Sequence, residues 1–392
     1  MGGLTPAAFR RPPYLGIGPM SKNCVNAMIY VAYESEVPVM VIPSRRQVDS
    51  EQLGGYVEGW SSRELSAYVR SQDPDYLVML CRDHGGPWQG AAEQRPDLGE
   101  AEACAQCMRS FEADIDAGFD LLHIDTSNEG ASEAPYDSAL RRLADLYGRC
   151  VELARQRNRP VRFEVGVETQ GADVDEPDRF RSQVDDMLGL LQARGLPRPI
   201  FIVAQTGTKV QETRNVGRLT DEKQIANVLD QIAVLAEICH EHRTLLKAHN
   251  CDYLPAHLVR RCFQAGVDAI NIAPELGVIE TRGLVQIMDE LELGSAKDEF
   301  LATAYESKKW VKWLARDSHA SDYEKAIIGG HYVFNKPDTQ ELMRRVSYEL
   351  LRRNRQSLQA ELQGLISQAI MRYVWAYPPD RESSEHRRIQ YR

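Results

Sequence analysis

No stretch of the 392 residues approaches the ~20 consecutive apolar residues needed to cross a bilayer, so a membrane-spanning role is not expected. A secretory leader is not expected either. The opening MGGLTPAAFRRPPYLGIG has no apolar segment ahead of its arginines. It begins Met-Gly, but the sixth residue is Pro6 rather than Ser or Thr, which argues against myristoylation. The expectation is a cytoplasmic protein. Positive charge is also short. The formal net charge is −10, which speaks against nonspecific binding of nucleic acid. Cysteine is sparse and scattered, with eight in the chain, too few for a disulfide framework at this length. Cys24, Cys150, Cys239 and Cys262 sit in apolar, helix-like stretches where a free thiol behaves as a small hydrophobe. Cys104 and Cys107 form a C-x-x-C, but no second pair completes a zinc site, so a structural reading is preferred to a redox one. No G-x-G-x-x-G follows the first apolar run, which leaves a dinucleotide-binding open sheet without support.

What is present is a rhythm. Eight short runs rich in Val, Ile, Leu and Phe recur: 14–18, 38–43, 76–81, 119–125, 161–168, 199–205, 243–249 and 268–273. Each is followed by a polar turn and an amphipathic stretch. Near-continuous apolar strands alternating with helices imply a parallel sheet covered on both faces. Eight such units in about 280 residues fit a (β/α)8 TIM barrel, for which ~250 residues is typical. Among the helices, 62–71 follows Ser61 and Ser62, either of which can cap it. Residues 221–242 carry an apolar stripe with Asp221 and Glu222 near the start, where the helix dipole favours carboxylates. From about residue 293 the strand signal stops. KDEFLATAYESKKWVKWLAR and the stretch from TQELMRR to VWAY read as long aromatic-bearing helices. The predicted organisation is a barrel over 1–292, a helical extension over 293–380 packed on the barrel or on a partner subunit, and a loose polar tail over 381–392.

In such a barrel, chemistry sits at the C-terminal ends of the strands. Those ends carry Asp83-His84, then His123-Ile124-Asp125, Glu168, Gln205, His249-Asn250 and Asn271. Charged groups at the rim of a dry core are costly unless paired or bound to metal. His84, His249 and Glu168 are therefore the candidate metal ligands, and two imidazoles, a carboxylate and an open position suit a catalytic Zn2+. Gln205 offers a weaker fourth oxygen. Asp83 is the candidate proton carrier or, alternatively, an orienting partner of His84. Asp125 reads as supporting rather than catalytic. For substrate, Arg82 is placed at the mouth by its neighbours. Arg45, Arg46 and Lys209 offer further anion sites, and Asn271 and Asn250 offer polar contacts.

The segments RRQVDSEQLGGYVEGWSSRELSAYV, LCRDHGGPWQG, DAGFDLLHIDTS, VGVETQGA, LLKAHNCDYL and AINIAPELGV resemble, in order, the non-catalytic subunits of class II tagatose-bisphosphate aldolase. That family lies within the zinc-dependent class II ketose-bisphosphate aldolases. The resemblance implies a TIM barrel, a match of His84 and His249 to two zinc histidines, of Asp83 to the acid/base aspartate, and of Glu168 to an acidic residue near the metal. The chain departs from the catalytic enzymes twice. Gln205 stands where they carry a strand-6 histidine, and Asn250-Cys251-Asp252-Tyr253 replaces their glycine-rich phosphate loop. Two functions follow as expectations. One is a zinc-dependent aldolase-type lyase or retro-aldol epimerase acting on a ketose or sugar phosphate, as a homo-oligomer and with catalytic roles for Asp83 and Glu168. The other is a non-catalytic subunit that stabilises a separate aldolase chain.

Overall fold

The computed structural model describes residues 13–91, 93, 97–130, 132–166 and 171–377. Glu168, the expected third metal ligand, lies outside the described residues. All eight expected strands are present: β1 Tyr14–Ile17, β2 Val39–Val41, β3 Val78–Arg82, β4 Leu121–Asp125, β5 Arg162–Gly166, β6 Phe201–Ala204, β7 Leu245–Ala248 and β8 Ala269–Ile272. They pair in parallel around a closed barrel in the order β1-β8-β7-β6-β5-β4-β3-β2. Eight helices follow the strands: α1 Lys22–Ser35, α2 Ser62–Gln72, α3 Glu100–Ala117, α4 Tyr136–Gln156, α5 Pro177–Ala193, α6 Ile225–Glu241, α7 Ala256–Gln264 and α8 Pro274–Glu290. The protein is a (β/α)8 barrel.

Capping chemistry sets several helix starts. Of the two candidate serines, Ser61 caps α2, closing a reciprocal box with Glu64. The hydroxyl of Ser62 instead donates to Asp114 Oδ1 at 2.6 Å. Helix α6 starts at Ile225, four residues later than its pattern suggested, because 218–220 form a separate 3-10 turn. Asp221 accepts the Lys223 amide in that connection. All eight cysteines are free, and Cys104 and Cys107 lie on α3 with Cys107 buried in its packing.

The region after the barrel differs from two continuous helices. It forms α9 Gly294–Glu306, α10 Asp322–Gly329, α11 Pro337–Arg352 and α12 Leu358–Val374. Lys308 and Asn354 have φ of 53° and 58°, and a left-handed residue stops an α-helix. The first break leaves Trp310–Trp313 in a short 3-10 turn and a loop rather than in a helix. The apolar stripe of α12 joins both cores. Ile366, Ile370 and Tyr373 belong to the barrel-helix core, while Leu358 and Leu362 pack with Phe300, Val346 and Leu350 in a second core. The extension therefore covers the flank of its own barrel, against α1 and α8.

Candidate active site

Successive side chains of a strand point to opposite faces, so one parity of each strand faces the barrel axis. The inward layer nearest the N-terminal ends is apolar, with Met79, Cys81, Leu121, Phe201, Leu245 and Ala269. The same parity continued toward the C-terminal ends gives Asp83, His123, Asp125, Glu164, Lys247 and His249, with Asn271 on β8. An apolar plug thus supports a charged layer, open above to a cavity of about 340 Å³. Gly16 on β1 makes room for that layer, since a Cβ there would lie 2.2 Å from Asn271 Oδ1.

Asp83 and His84 are adjacent, yet both line the cavity. His84 achieves this with a φ of 44°, a left-handed conformation uncommon for a residue with a side chain. The turn breaks the alternation and folds the imidazole back beside Asp83. His84 Nδ1 lies 2.7 Å from Asp125 Oδ2, which also accepts from Gln89 Nε2. The other Asp125 oxygen accepts from the Ser127 hydroxyl and amide.

Three imidazole rings surround the Asp83 carboxylate. The ring centroids of His84, His123 and His249 stand 5.2 to 5.6 Å apart. Asp83 oxygens lie 3.6 Å from His123 Nδ1, 3.7 Å from His84 Nε2 and 3.8 Å from His249 Nε2. Beneath them Glu164 is fully buried, with Oε1 3.0 Å from His249 Nε2 and Oε2 2.5 Å from the Lys247 ammonium. Burial alone would raise these acids. The Lys247 ammonium with His123 and His249 instead holds Glu164 down at about 2, and the imidazoles hold Asp83 well below the carboxylate range. His84 moves the other way. Burial lowers it, but Asp83 and Asp125 together lift it to about 9. Burial keeps His249 below the usual imidazole value. Donor atoms of Asp83, His123, Glu164 and His249 all lie within 4.8 Å of one another, and His84, His123 and Asp125 form an adjoining group.

The structure brings together Asp83, His84, His249 and Asn271, with Gln205 and Asn250 also lining the cavity. Asn271 Nδ2 donates to Asp83 Oδ1 at 3.3 Å, and its Oδ1 has no partner among the described residues. Gln205 Oε1 accepts the Gly171 amide at 2.6 Å. Two expected substrate contacts lie elsewhere. Arg82 has the outward parity of β3 and is buried, with its guanidinium donating to Asp114, Ser62 Oγ and the carbonyls of Pro43 and Val48. Arg45 is buried against Glu93, Asp49, Ser110 and the Gly86 carbonyl. Both arginines brace loops under the site and do not reach the cavity.

Two members of the charged layer, Glu164 and Lys247, were not singled out from sequence, and His123 was noted at the end of its strand but not counted among the ligands. Each was visible as a polar residue of inward parity within an apolar strand, two residues before a strand-end candidate in the cases of His123 and Lys247.

No protein-family model matches the chain, and no curated protein matches it. Solved structures do. A "probable tagatose 6 phosphate kinase" of Sinorhizobium meliloti is 19% identical, with 93% of this chain and 100% of that one covered and a TM-score of 0.70. Fructuronate-tagaturonate epimerase UxaE of Cohnella laeviribosi, complexed with glycerol, is 12% identical over 96% of this chain and 83% of that one, at 0.57. Fructose-bisphosphate aldolase of Campylobacter jejuni is 12% identical over 93% and 89%, at 0.52. At these identities the likeness is one of fold alone, the (β/α)8 barrel.

Proposed function

We propose that the chain is a zinc-dependent, aldolase-type enzyme that makes or breaks a carbon-carbon bond in a ketose or sugar phosphate, or epimerises one by cleavage and re-addition. The observation that carries this reading is the triangle of His84, His123 and His249 around Asp83 on the floor of a cavity. Ligands bound to one Zn2+ at 2.0–2.2 Å stand roughly 3 to 4 Å apart, and the donor group of Asp83, His123, Glu164 and His249 falls within 4.8 Å. Among the described residues, His249 Nδ1 and His123 Nε2 are buried without partners, so neither ring is held there by hydrogen bonds at both nitrogens. The residues fit a divalent ion held by His249 and His123, with Glu164 behind them and His84 on the cavity side. Glu168 remains a further candidate ligand and catalytic residue, and Asp125 orients His84. When bound, the ion supplies Lewis-acid polarisation of the substrate carbonyl.

The chain's own groups supply the rest. Asp83, ionised at neutral pH, takes the proton of the hydroxyl whose neighbouring carbon-carbon bond breaks. The electron pair of that bond passes to the carbonyl-bearing fragment, and a new carbonyl forms where the hydroxyl stood. Asp83 returns the proton on re-addition, to either carbonyl face if the fragment turns. Asn271 keeps Asp83 aimed with its Nδ2 and offers its free Oδ1 to a substrate hydroxyl. Lys247 keeps Glu164 charged and still. Asn250 and Gln205 border the bound sugar.

Metal analysis tests this. The purified chain should carry about one zinc, as single catalytic sites do, and cleave a member of a sugar-phosphate and uronate panel only when loaded. A chain that neither contains nor takes up zinc would falsify the reading. The alternative of a stabilising, non-catalytic subunit has less support, because the apolar stripe of α12 is consumed in packing on its own barrel, although Tyr348, Leu351 and Trp375 of the extension stay exposed. It would be favoured by co-purification with a separate aldolase chain.

A further inference from the structure

The charged layer accounts for one end of the cavity. The other end carries two cations. Arg46, the residue after the buried Arg45, and Lys312, from the 3-10 turn between α9 and α10, both line the mouth. Among the described residues neither has a carboxylate within ion-pair distance. Arg46 donates from Nε to the Gln89 carbonyl at 3.2 Å, and its guanidinium has no other hydrogen-bond partner among them. Glu93, the nearby acid, is spent on both terminal nitrogens of Arg45. Lys312 is exposed, but to the concave mouth, with its ammonium 4.6 Å from the Trp313 ring centroid and 5.4 Å from that of Tyr332. Burial and the charges of Arg46 and Lys309 pull its proton affinity below the lysine norm. Two like charges held together without an anion repel, and an anion between them would remove that repulsion.

Lys312 is held in place rather than trailing. The Trp313 carbonyl accepts the Glu212 amide at 2.8 Å, Trp313 Nε1 donates to Tyr332 Oη at 3.1 Å, and the Ser318 hydroxyl donates to Glu212 Oε1 at 2.5 Å. A short hairpin over 210–215 thus anchors the turn from below. One alternative, an anion at the N-terminus of α8 beside the end of β8, is closed. The Asp252 carboxylate already accepts the amides of Ala273 and Glu275 at the start of α8.

We propose that Arg46 and Lys312 form a subsite for the anionic end group of the substrate, a phosphate ester or a carboxylate, opposite the imidazole cluster. This rests on the reading of the cavity as a sugar site and names the class of sugar it takes: a charged one. It also assigns the extension a task, since the barrel alone lacks Lys312.

Calorimetric titration of the full chain with inorganic phosphate, and separately with acetate, tests the subsite. Titrations are run on the as-purified chain and after stripping with a chelator that is then dialysed away. Phosphate or acetate should bind in both states, and Lys312→Met and Arg46→Met should each weaken binding at least tenfold. Preference for phosphate identifies a phosphate ester, and preference for acetate a sugar acid. Because Lys312 makes no ion pair among the described residues, Lys312→Met should leave the unfolding midpoint and zinc content unchanged, which separates lost binding from lost fold. Lys312→Gln serves as the second variant. Binding that vanishes on stripping and survives both substitutions would place the anion on the metal and overturn the subsite. Absence of binding by either anion to the wild-type chain would overturn it as well. A chain that holds no zinc as purified and takes none up, yet binds phosphate through Arg46 and Lys312, would uphold the subsite while sinking the metal reading.

Discussion

Two arginines compete for the role of substrate contact, and a stability measurement distinguishes them. Arg82 precedes the Asp83-His84 pair, yet all five of its N–H groups are already used. Nε and Nη2 donate to the two oxygens of Asp114 at 2.7 and 2.6 Å, Nη1 to the Pro43 and Val48 carbonyls at 3.0 and 2.7 Å, and Nη2 also to Ser62 Oγ at 3.3 Å. Burial works against the charge, but Asp114 more than restores it. The pair is wholly buried. Removing one member of such a pair strands the other and costs about 3–5 kcal/mol, most of it the penalty of an uncompensated buried charge. Arg82→Met should therefore lower stability by about that amount, read as a fall in the urea midpoint at unchanged slope. Asp114→Leu should do the same. The double variant should lose clearly less than the sum, because neither charge is then left alone. The Michaelis constant of Arg82→Met for an acidic substrate should rise no more than for a neutral one. That selective rise belongs to Arg46→Met. An Arg82→Met chain of normal stability, with affinity lost only for charged substrates, would refute the reasoning and return Arg82 to the site.

Further outcomes follow from the same geometry. His123→Ala should reduce zinc content well below that of the wild type by elemental analysis while the chain stays folded by circular dichroism; unchanged zinc would remove His123 from the ligand set. Gly16→Ala puts a methyl where Asn271 Oδ1 now sits, 2.2 Å away, so turnover should drop about tenfold, a cost of ~1.4 kcal/mol, with only a small change in urea midpoint. The reverse, full activity with a destabilised barrel, would show that Asn271 does not orient Asp83. Glu280 on α8 is buried, accepts from Ser21 Oγ and Asn23 Nδ2, and is raised by burial from 4.5 to about 7. A raised acid favours the folded state below its unfolded pKa, and that contribution is lost as pH climbs through the folded one. Between pH 4.5 and 8 the wild type should lose about 3 kcal/mol relative to Glu280→Gln. Parallel stability curves for the two chains would contradict this.

Much of the fold was legible because the strands are almost wholly apolar and are punctuated by polar turns. That pattern admits few architectures, and a closed parallel barrel satisfies it with no open edges. The extension was legible as helical but not in its breaks. Ser307-Lys308 and Asn354 carry no proline or glycine, yet Lys308 and Asn354 take the left-handed region, and at Asn354 the helix end is closed by local bonds from the Asn354 and Arg355 amides to the Leu351 and Leu350 carbonyls. The Lys312 turn was hidden for that reason.

At the site, reading only strand ends found Asp83, His84 and His249 but weighted position over parity. Alternation separates the inward Asp83 from the outward Arg82, one residue apart, and it selects His123, Glu164 and Lys247 at the same time. Those last three lie inside strands, where a polar side chain with no inward partner would be prohibitively costly. A histidine, a glutamate and a lysine on three neighbouring or near-neighbouring inward faces can only be tolerated together, as the 2.5 Å contact between Lys247 and Glu164 illustrates. His84 is the exception that parity cannot predict. It faces inward only because its backbone turns left-handed directly after Asp83, and a residue held in that conformation implies surroundings that fix it there. Here the fixing partner is Asp125, whose carboxylate takes His84 Nδ1 and leaves Nε2 toward Asp83 and the cavity. Backbone strain and orienting carboxylate thus point the same nitrogen toward the same place, which is the arrangement a metal-binding or proton-carrying imidazole needs and a merely structural one does not.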